Sequence, residues 1–181
     1  MNTFLHSKKN IFLLLFILFT SFSFAQMGCW KQVSTSRTHT LALKNDGTLW
    51  AWGNNSGGQL GNNTFTNSNI PIRIGLANDW KEVFAGQSVS FGIKNNGTLW
   101  SWGINSSGQI GFTTTTSKKI PTLVDNTNNW KQISSSAREN HTSAIKSNGS
   151  LWGCGNNGYG VIGNGTDNSN VFTFTQSGSE L

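Results

Sequence analysis

The sequence is poor in charged residues, and this scarcity excludes one whole fold class. Only 11% of its 181 residues are charged, against about 25% in ordinary soluble domains. Asn, Ser and Thr, 64 residues in total, occupy the place that Lys and Glu usually hold. Because the surface of a helical bundle is built from the strong helix formers that are scarce here, a bundle is excluded.

The chain also lacks an apolar run long enough to cross a membrane as a helix. Its longest run, residues 11–19, has nine residues, whereas about 20 are needed to span about 30 Å of hydrocarbon. A pair of lysines precedes the run, and residues 23–25 supply small side chains at the two positions that a signal peptidase reads. We therefore expect residues 1–25 to be a signal peptide and residues 26–29 a short leader.

Such a signal directs the chain to the medium, the periplasm or the cell surface. The compact signal and the Asn-rich sequence favour a bacterial origin. A lipoprotein is the alternative, because Gly28 and Cys29 follow the signal closely and Cys29 could be lipidated. Gln26 weighs against it, since lipoprotein signals usually carry Leu or a similar aliphatic residue at that place.

The exported chain has no cluster of cations of the kind that binds nucleic acid. Without residues 1–25 it keeps 11 basic and seven acidic residues, a net charge of +4. No run of basic residues is longer than two, whereas a nucleic-acid surface concentrates its cations on one stripe. We therefore expect a solvated surface, with no nucleic-acid partner and no membrane span.

Catalytic and metal-binding patterns are absent from the sequence as well. No two acidic residues recur at a spacing that suggests a paired acid and base, and no Gly-x-Ser-x-Gly elbow occurs. The Gly-rich segments lack the Lys-Ser/Thr that follows a phosphate-binding loop. His39 and His141 have no Cys or carboxylate cluster beside them, so they do not indicate a metal site. We therefore expect no enzyme activity, no cofactor and no metal.

A unit of about fifty residues occurs three times after the leader. Each copy opens with Trp-Lys and a β-prone stretch, at Trp30, Trp80 and Trp130. Each then carries Asp/Asn-Gly-Thr/Ser-Leu-Trp and, further on, Gly-x-Leu/Ile-Gly. The third copy has a two-residue insertion between Lys131 and His141. The repeats are residues 30–79, 80–129 and 130–181.

Each repeat predicts four short strands. Its Asp-Gly or Asn-Gly dipeptide accepts a positive φ at both centres of a type I′ turn and therefore predicts a tight hairpin. The Trp-Lys stretch adds a strand, and the segments around Pro71 and Pro121 add another at a sheet edge, where a missing N–H is tolerated. Four strands every 40 to 50 residues or so are typical of a propeller blade.

The order of these landmarks resembles the repeat of the regulator of chromosome condensation family. That order is a hairpin with Asn-Asp-Gly, Leu-Trp-Ala-Trp-Gly, Asn-x-x-Gly-x-Gln-Leu-Gly, Pro, a variable link, Trp-Lys-x-Val and His-Thr. The resemblance covers nearly all of residues 30–181. It implies an all-β fold of β-propeller blades, each a four-stranded antiparallel sheet, in a family of seven-bladed propellers. It also implies that His39 and His141 tie a blade together by hydrogen bonds.

Three repeats are fewer than a closed ring requires, because propellers typically have about four to eight blades. We therefore expect about three blades and an incomplete propeller. We favour a fragment of a longer propeller, and the alternative is a ring assembled from several chains. An isolated arc would also self-associate through its open blade edges, because unpaired strands are sites of pairing.

The Trp and Cys residues have structural interpretations. A Trp at a fixed place in every strand packs one blade on the next and buries about 150–250 Å². Cys154 stands where Trp52 and Trp102 stand in the other repeats, so we expect it to pack as a small buried hydrophobe. Export permits a disulfide between Cys29 and Cys154, but blades one and three of a propeller are not neighbours, so we do not expect that bond.

These observations predict an exported, non-catalytic scaffold that binds a partner protein not yet identified. The signal peptide separates it from the nuclear activities of the founding family. Variable loops present the binding surface of such scaffolds, and the least repeated positions precede the His position of each repeat: Arg37, Gln87, Arg138, Glu139 and Asn140. A structural cell-surface or adhesion repeat is the first alternative. A carbohydrate-active enzyme or sugar-binding propeller with stacking Trp is the second.

Overall fold

The computed structural model describes residues 28–135 and 140–178, and their regular structure is entirely β-strand. The strands in these residues are, in chain order, β1 Trp30–Thr35, β2 His39–Lys44, β3 Leu49–Gly53, β4 Ser68–Arg73, β5 Trp80–Ala85, β6 Val89–Lys94, β7 Leu99–Gly103, β8 Lys118–Leu123, β9 Trp130–Ser135, β10 His141–Lys146, β11 Leu151–Gly155 and β12 Val171–Gln176. The expected signal peptide, residues 1–25, lies outside the described residues.

Each group of four consecutive strands forms one antiparallel sheet. Strands β1–β4, β5–β8 and β9–β12 pair in chain order, and we name these sheets blade 1, blade 2 and blade 3. The first strands of the blades lie next to one another, and the fourth strands form the opposite edge of each sheet. The prediction of an all-β fold of four-stranded propeller blades is confirmed, and the three blades form an open arc.

The fourth strands are edge strands, as their prolines predict. Pro71 lies within β4 and Pro121 within β8, and each of these strands pairs on one side only. A proline lacks the N–H that a second neighbouring strand would need. The prolines therefore prevent further pairing at the outer edges of blades 1 and 2.

The hairpins between second and third strands form where predicted, but with a different turn. Gly47 N–H donates to Lys44 O at 3.0 Å, and within the Asp46-Gly47 pair only the glycine has a positive φ, +78°. The Asp46 carboxylate accepts from the Thr48 N–H and hydroxyl at 3.0 and 2.7 Å. Blades 2 and 3 repeat the arrangement with Asn in place of Asp. The loop is a type I turn followed by a left-handed glycine, so the type I′ prediction is wrong.

Adjacent blades pack face to face through one recurring arrangement. The second and third strands of one blade present aliphatic or aromatic side chains, and the next blade inserts a Trp and a branched residue from its first strand. At the first boundary, Leu41, Leu43 and Leu49 receive Trp80, Val83 and Trp102. At the second, Phe91, Ile93 and Leu99 receive Trp130 and Ile133. The blade boundaries are therefore the hydrophobic core, and burial of each such side chain contributes about 1.5–3 kcal/mol to stability.

A lysine lies between two tryptophans in every blade. Lys44 Nζ is 5.2 Å from the centre of the Trp30 ring and 4.2 Å from that of Trp50. The two rings meet edge to face with their centroids 6.0 Å apart. Lys94 and Lys146 repeat the arrangement in blades 2 and 3. Since cation–π contacts contribute about 0.5–2 kcal/mol each, these three cations have a structural role.

Two main-chain carbonyls tie the blades together by hydrogen bonds. Gln59 O accepts from Ser90 Oγ at 2.7 Å and from Trp102 Nε1 at 2.9 Å across the first boundary. Gln109 O accepts from Thr142 Oγ1 at 2.8 Å across the second. All of these atoms are buried, so each bond satisfies a polar group that has no access to water.

Cys154 takes the place of an indole at the second boundary. Its side chain is buried, and its thiol donates to Gln109 O at 3.6 Å, as the Trp102 N–H donates to Gln59 O at the first boundary. The prediction that Cys154 packs as a small buried hydrophobe is confirmed. Cys29 is exposed, and the two thiols are not joined in a disulfide.

The arc leaves one sheet face at each end without a neighbouring blade among the described residues. On blade 1 this face carries Trp30 and Val33, which are 49% and 62% exposed, whereas the equivalent Trp80 and Val83 are 3% and 0% exposed. On blade 3 it carries Leu151, which is 45% exposed. The apolar surfaces that the arc leaves open are therefore sheet faces.

Candidate binding surface

The loops between first and second strands carry the predicted binding residues. In blade 1 the turn is closed by a hydrogen bond from Ser36 N to His39 O at 2.9 Å, and Ser36 Oγ accepts from His39 N at 3.2 Å. In blade 2 Gly86 N donates to Val89 O at 2.9 Å. These tight turns hold the predicted residue of each loop at its tip.

Arg37 and Gln87 border the same depression, which has a volume of about 210 Å³. Its other lining residues are Thr35, Ser36, Ala85, Gly86 and Ser135. Thr38 Oγ1 donates to Gln87 O at 3.1 Å and so links the loops of blades 1 and 2. Ser135 is the last residue of β9 and belongs to blade 3. All three repeats therefore contribute to one surface.

Most of the residues that line the depression are polar, and one of them is a cation. Among the residues that the structure describes, the lining supplies hydroxyl groups, one side-chain amide and the exposed guanidinium of Arg37, and it includes no carboxylate. A guanidinium stays protonated at any physiological pH and donates to carboxylates and carbonyls in a fixed geometry. None of these lining side chains exchanges a proton near neutral pH. The surface therefore suits the binding of acceptor groups.

The residues predicted from the third repeat are only partly described. Arg138 and Glu139 lie outside the described residues. Asn140 is exposed with a φ of +45°, and its carbonyl accepts from Asn156 N at 3.0 Å, as Thr38 O accepts from Asn54 N in blade 1. Asn140 does not line the depression.

Sequence reasoning missed the strand ends that complete the surface. Thr35 and Ser135 end first strands, and Gly86 begins the loop of blade 2. A Cβ at Gly86 would lie 2.6 Å from Ser135 Oγ, so a glycine is needed for the close approach of blades 2 and 3 here. One feature of the sequence indicates this close approach, because blade 2 has Gly86 where blade 1 has Ser36.

His39 lies directly behind the first loop and is buried. Its Nε2 is 2.8 Å from Ser90 Oγ, and its Nδ1 is 2.9 Å from Ser36 Oγ. Because the Ser90 hydroxyl donates to a main-chain carbonyl, the imidazole must donate from Nε2. Burial lowers the pKa of His39 to about 4, so the ring is neutral at pH 7. Its Nδ1 bond ties the loop of blade 1 within that blade, as the resemblance implied, and its Nε2 bond also joins blade 1 to blade 2.

Family models match most of the repeat region. The model of the Regulator of chromosome condensation (RCC1) repeat matches residues 46–93 and 96–145. A second model of the same repeat matches residues 30–59 and 80–109. The chain belongs to the RCC1 repeat family. RCC1 repeats form a non-catalytic binding and exchange-factor fold.

Solved RCC1-type propellers have the same fold as this chain. The chain is 25% identical to human WBSCR16, with a TM-score of 0.71 over 81% of this chain and 39% of that one. It is 21% identical to Prp20p from Saccharomyces cerevisiae, with a TM-score of 0.72 over 81% of this chain and 38% of that one. Yeast RCC1 (Prp20) bound to Kap60 gives 21% identity and a TM-score of 0.73 over 81% and 36% of the two chains.

The RCC1 repeats described here thus span less than half the length of each of these propellers. A search of curated protein sequences finds no match to this chain. Within residues 28–135 and 140–178 no three His, Cys, Asp or Glu side chains are grouped to hold a metal ion. The same residues contain no helix with the length and hydropathy that a membrane span requires.

Proposed function

We propose that this chain is an exported, non-catalytic RCC1-repeat scaffold that binds a partner protein through the depression between Arg37 and Gln87. The observation that carries the proposal is the convergence of three repeats on one surface that presents the Arg37 guanidinium. Prp20p has binding properties toward Gsp1p and histones, and yeast RCC1 is bound by Kap60. Propellers of this fold therefore serve as protein-binding scaffolds.

The chemistry of the depression favours an acidic or carbonyl-rich segment of the partner. The Arg37 guanidinium donates to a carboxylate, and the Thr35 hydroxyl and the Gln87 side-chain amide donate to main-chain carbonyls. Export also separates the chain from nuclear partners, so we expect the partner to be a secreted or surface protein.

Six of the eight tryptophans give no support to a sugar-stacking function, and the other two, Trp30 and Trp52, lie on the open face of blade 1. Stacking on a sugar requires an exposed ring face, and Trp80, Trp102 and Trp130 are buried at the blade boundaries. The half-buried Trp50, Trp100 and Trp152 carry a lysine ammonium over their rings. Protein binding through the loops therefore remains the better supported function.

Site-specific photo-crosslinking tests this proposal. A photoreactive amino acid is placed at position 87, and the purified chain is irradiated with proteins from the culture medium and the cell surface of the source organism. Position 76 is the matched control, because Leu76 is 90% exposed in a loop and does not line the depression. We expect a protein that is captured at position 87 and not at position 76.

Charge reversal provides the second arm of the experiment. Arg37→Glu places a carboxylate at the rim of the depression, and we expect it to weaken capture at position 87 at least ~10-fold through like-charge repulsion of an acidic segment. Lys119→Glu reverses a charge elsewhere on the surface and should leave capture unchanged. Equal capture at positions 76 and 87, or capture that survives Arg37→Glu, contradicts the proposal.

A further inference from the structure

The two open faces of the arc are the two halves of an interface that the chain already contains twice. At each blade boundary, an inserting face with a Trp and a branched residue packs on a receiving face of the preceding blade. Blade 1 has the inserting face of Trp30, Val33 and Trp52 with no blade before it among the described residues. Blade 3 has the receiving face of Gln132, Ser134, Ile145 and Leu151, and the described residues include no blade after it.

The inserting face on blade 1 has the residue types that are buried elsewhere. Trp30 and Val33 correspond to Trp80 and Val83 of the first boundary, in the same Trp-Lys-x-Val order. Trp52 corresponds to Trp102, whose indole N–H donates to a main-chain carbonyl of the neighbouring blade. Large apolar side chains that are exposed side by side mark an interaction surface.

The receiving face on blade 3 contains a depression of about 110 Å³. It is lined by Gln132, Ser134, Ser143, Ala144, Ile145 and Leu151. Ser143 takes the place of Leu41 and Phe91 of the other blades, and its small side chain leaves room for an incoming residue. Leu151 corresponds to Leu49 and Leu99, which are both fully buried under the next blade.

Two polar side chains on this face identify the residue that it accepts. In blade 1 Gln32 donates through Nε2 to Val83 O at 3.0 Å and accepts from Val83 N at 3.0 Å. Ser34 Oγ accepts from Ala85 N at 2.9 Å. Blade 3 has Gln132 and Ser134 at these two positions, whereas blade 2 has Glu and Phe. The first strand of blade 3 therefore matches the first strand of blade 1, which binds the main chain of Val83 in this way.

The hairpin turn of blade 3 is also open where the others are covered. A Cβ at Gly47 or Gly97 would overlap the main-chain oxygen of Asn78 or Asn128, each two residues before the next inserting Trp. Gly149 has no atom within 4 Å of the corresponding point. In addition, Gly47 O and Gly97 O accept from the N–H of that Trp at 3.2 Å. The turn of blade 3 offers the same acceptor to an incoming first strand.

We infer that a second copy of this chain docks head to tail, with the inserting face of one copy packed on the receiving face of the other. In this contact Val33 enters the depression of the partner copy, and its main chain bonds to Gln132. The Trp52 indole donates to the carbonyl of Val161, which stands where Gln59 stands in blade 1. The described residues of two copies joined at both ends contain six blades, a number within the range of closed propellers.

Docking of a second copy is independent of the protein partner proposed for the loops, because the two contacts use different surfaces. Sedimentation velocity on the chain without its signal peptide, from about 1 to 100 µM, tests it. We expect a reversible dimer. We expect Val33→Asp and Leu151→Asp each to weaken it at least ~100-fold, because each leaves an unpaired carboxylate in an apolar contact. Leu76→Asp, on a surface outside both faces, should leave it unchanged.

A mixture of the two variants distinguishes head-to-tail docking from other association. Val33→Asp keeps an intact receiving face and Leu151→Asp an intact inserting face, so the equimolar mixture should recover a one-to-one dimer through the one intact interface. Both side chains are exposed, so circular dichroism should show folded variants. A wild-type chain that stays monomeric at 100 µM or so, or a mixture that recovers no dimer, overturns the inference and leaves the faces to another protein or to further repeats.

Discussion

His39 of blade 1 and Ser90 of blade 2 share a buried hydrogen bond of 2.8 Å between Nε2 and Oγ. The Ser90 hydroxyl in turn donates a hydrogen bond to Gln59 O at 2.7 Å. A neutral imidazole is thus the first donor in a chain of two hydrogen bonds that crosses the blade boundary. The protonation state of one side chain therefore bears on the cohesion of two blades.

We predict that the chain loses stability as the pH falls from 6.5 to 4. The pKa of His39 is about 4 in the folded chain and about 6.5 in the unfolded chain, so the unfolded state binds more protons in this window. The free energy of unfolding should fall by up to about 3 kcal/mol across it. Urea unfolding at a series of pH values measures the loss.

His39→Val is the matched variant for this measurement, because Val89 occupies the same position in blade 2. The variant should show a flatter pH dependence over the same window. The hydrogen bonds from Thr48 hold the pKa of Asp46 below its usual value, so any loss due to Asp46 comes at lower pH. An NMR titration in which the folded His39 ring protonates near pH 6.5 would refute the prediction.

We predict that one of the two thiols reacts in the folded chain. Cys29 is exposed, whereas Cys154 is buried and its pKa is raised by desolvation. An aromatic disulfide reagent such as dithionitrobenzoate should titrate one thiol in buffer and two in denaturant. Cys29→Ser should abolish the reaction in buffer, and a variant that still reacts there would show that Cys154 is accessible.

We predict that alanine is tolerated less well at Gly47 than at Gly149. Both glycines have a left-handed φ, +78° and +84°, so each substitution costs about 1–2 kcal/mol in the backbone. At Gly47 the new Cβ also overlaps Asn78 O, which should add about 2 kcal/mol. Thermal unfolding of both variants in a Val33→Asp background, where docking is removed, measures the difference. Equal losses would mean that the linker before Trp80 does not cover the turn.

We predict that Gln32→Ala destabilises the chain by about 1–3 kcal/mol, because it leaves the buried N–H and C=O of Val83 without the side-chain amide. Gln132→Ala changes the same residue type on an open face and should cost less than about 0.5 kcal/mol in the Val33→Asp background. Urea unfolding of both variants checks this. Similar losses would indicate that Gln32 acts within its own blade and not across the boundary.

The repeat, the hairpins and the edge strands are predictable from the sequence because they depend on neighbouring residues. The recurring Trp, the Asp-Gly and Asn-Gly turns and the two prolines each act within a few positions of the chain. The predicted type I′ turn is wrong for a local reason. The Asp46 carboxylate bonds to Thr48 and holds the aspartate at an ordinary φ, so only the glycine is left-handed.

The surface shared by the repeats is less predictable, because it depends on how the blades approach one another. Arg37 and Gln87 stand out in sequence as unrepeated residues, but Ser135 gains its place only through the close contact of blades 2 and 3 at Gly86. Gln32 likewise has no local signal that its amide reaches across to the Val83 main chain. Contacts between residues fifty positions apart become visible only in three dimensions.

The blade ties at Gln59 and Gln109 are accepted by main-chain carbonyls. A main-chain acceptor is present whatever side chain the position carries. In blade 3 the equivalent position is Val161, which has the same carbonyl although its side chain differs. A repeat that is duplicated or deleted as a whole unit meets its new neighbour with this tie already in place. The array can therefore change length in evolution without a compensating substitution at that contact.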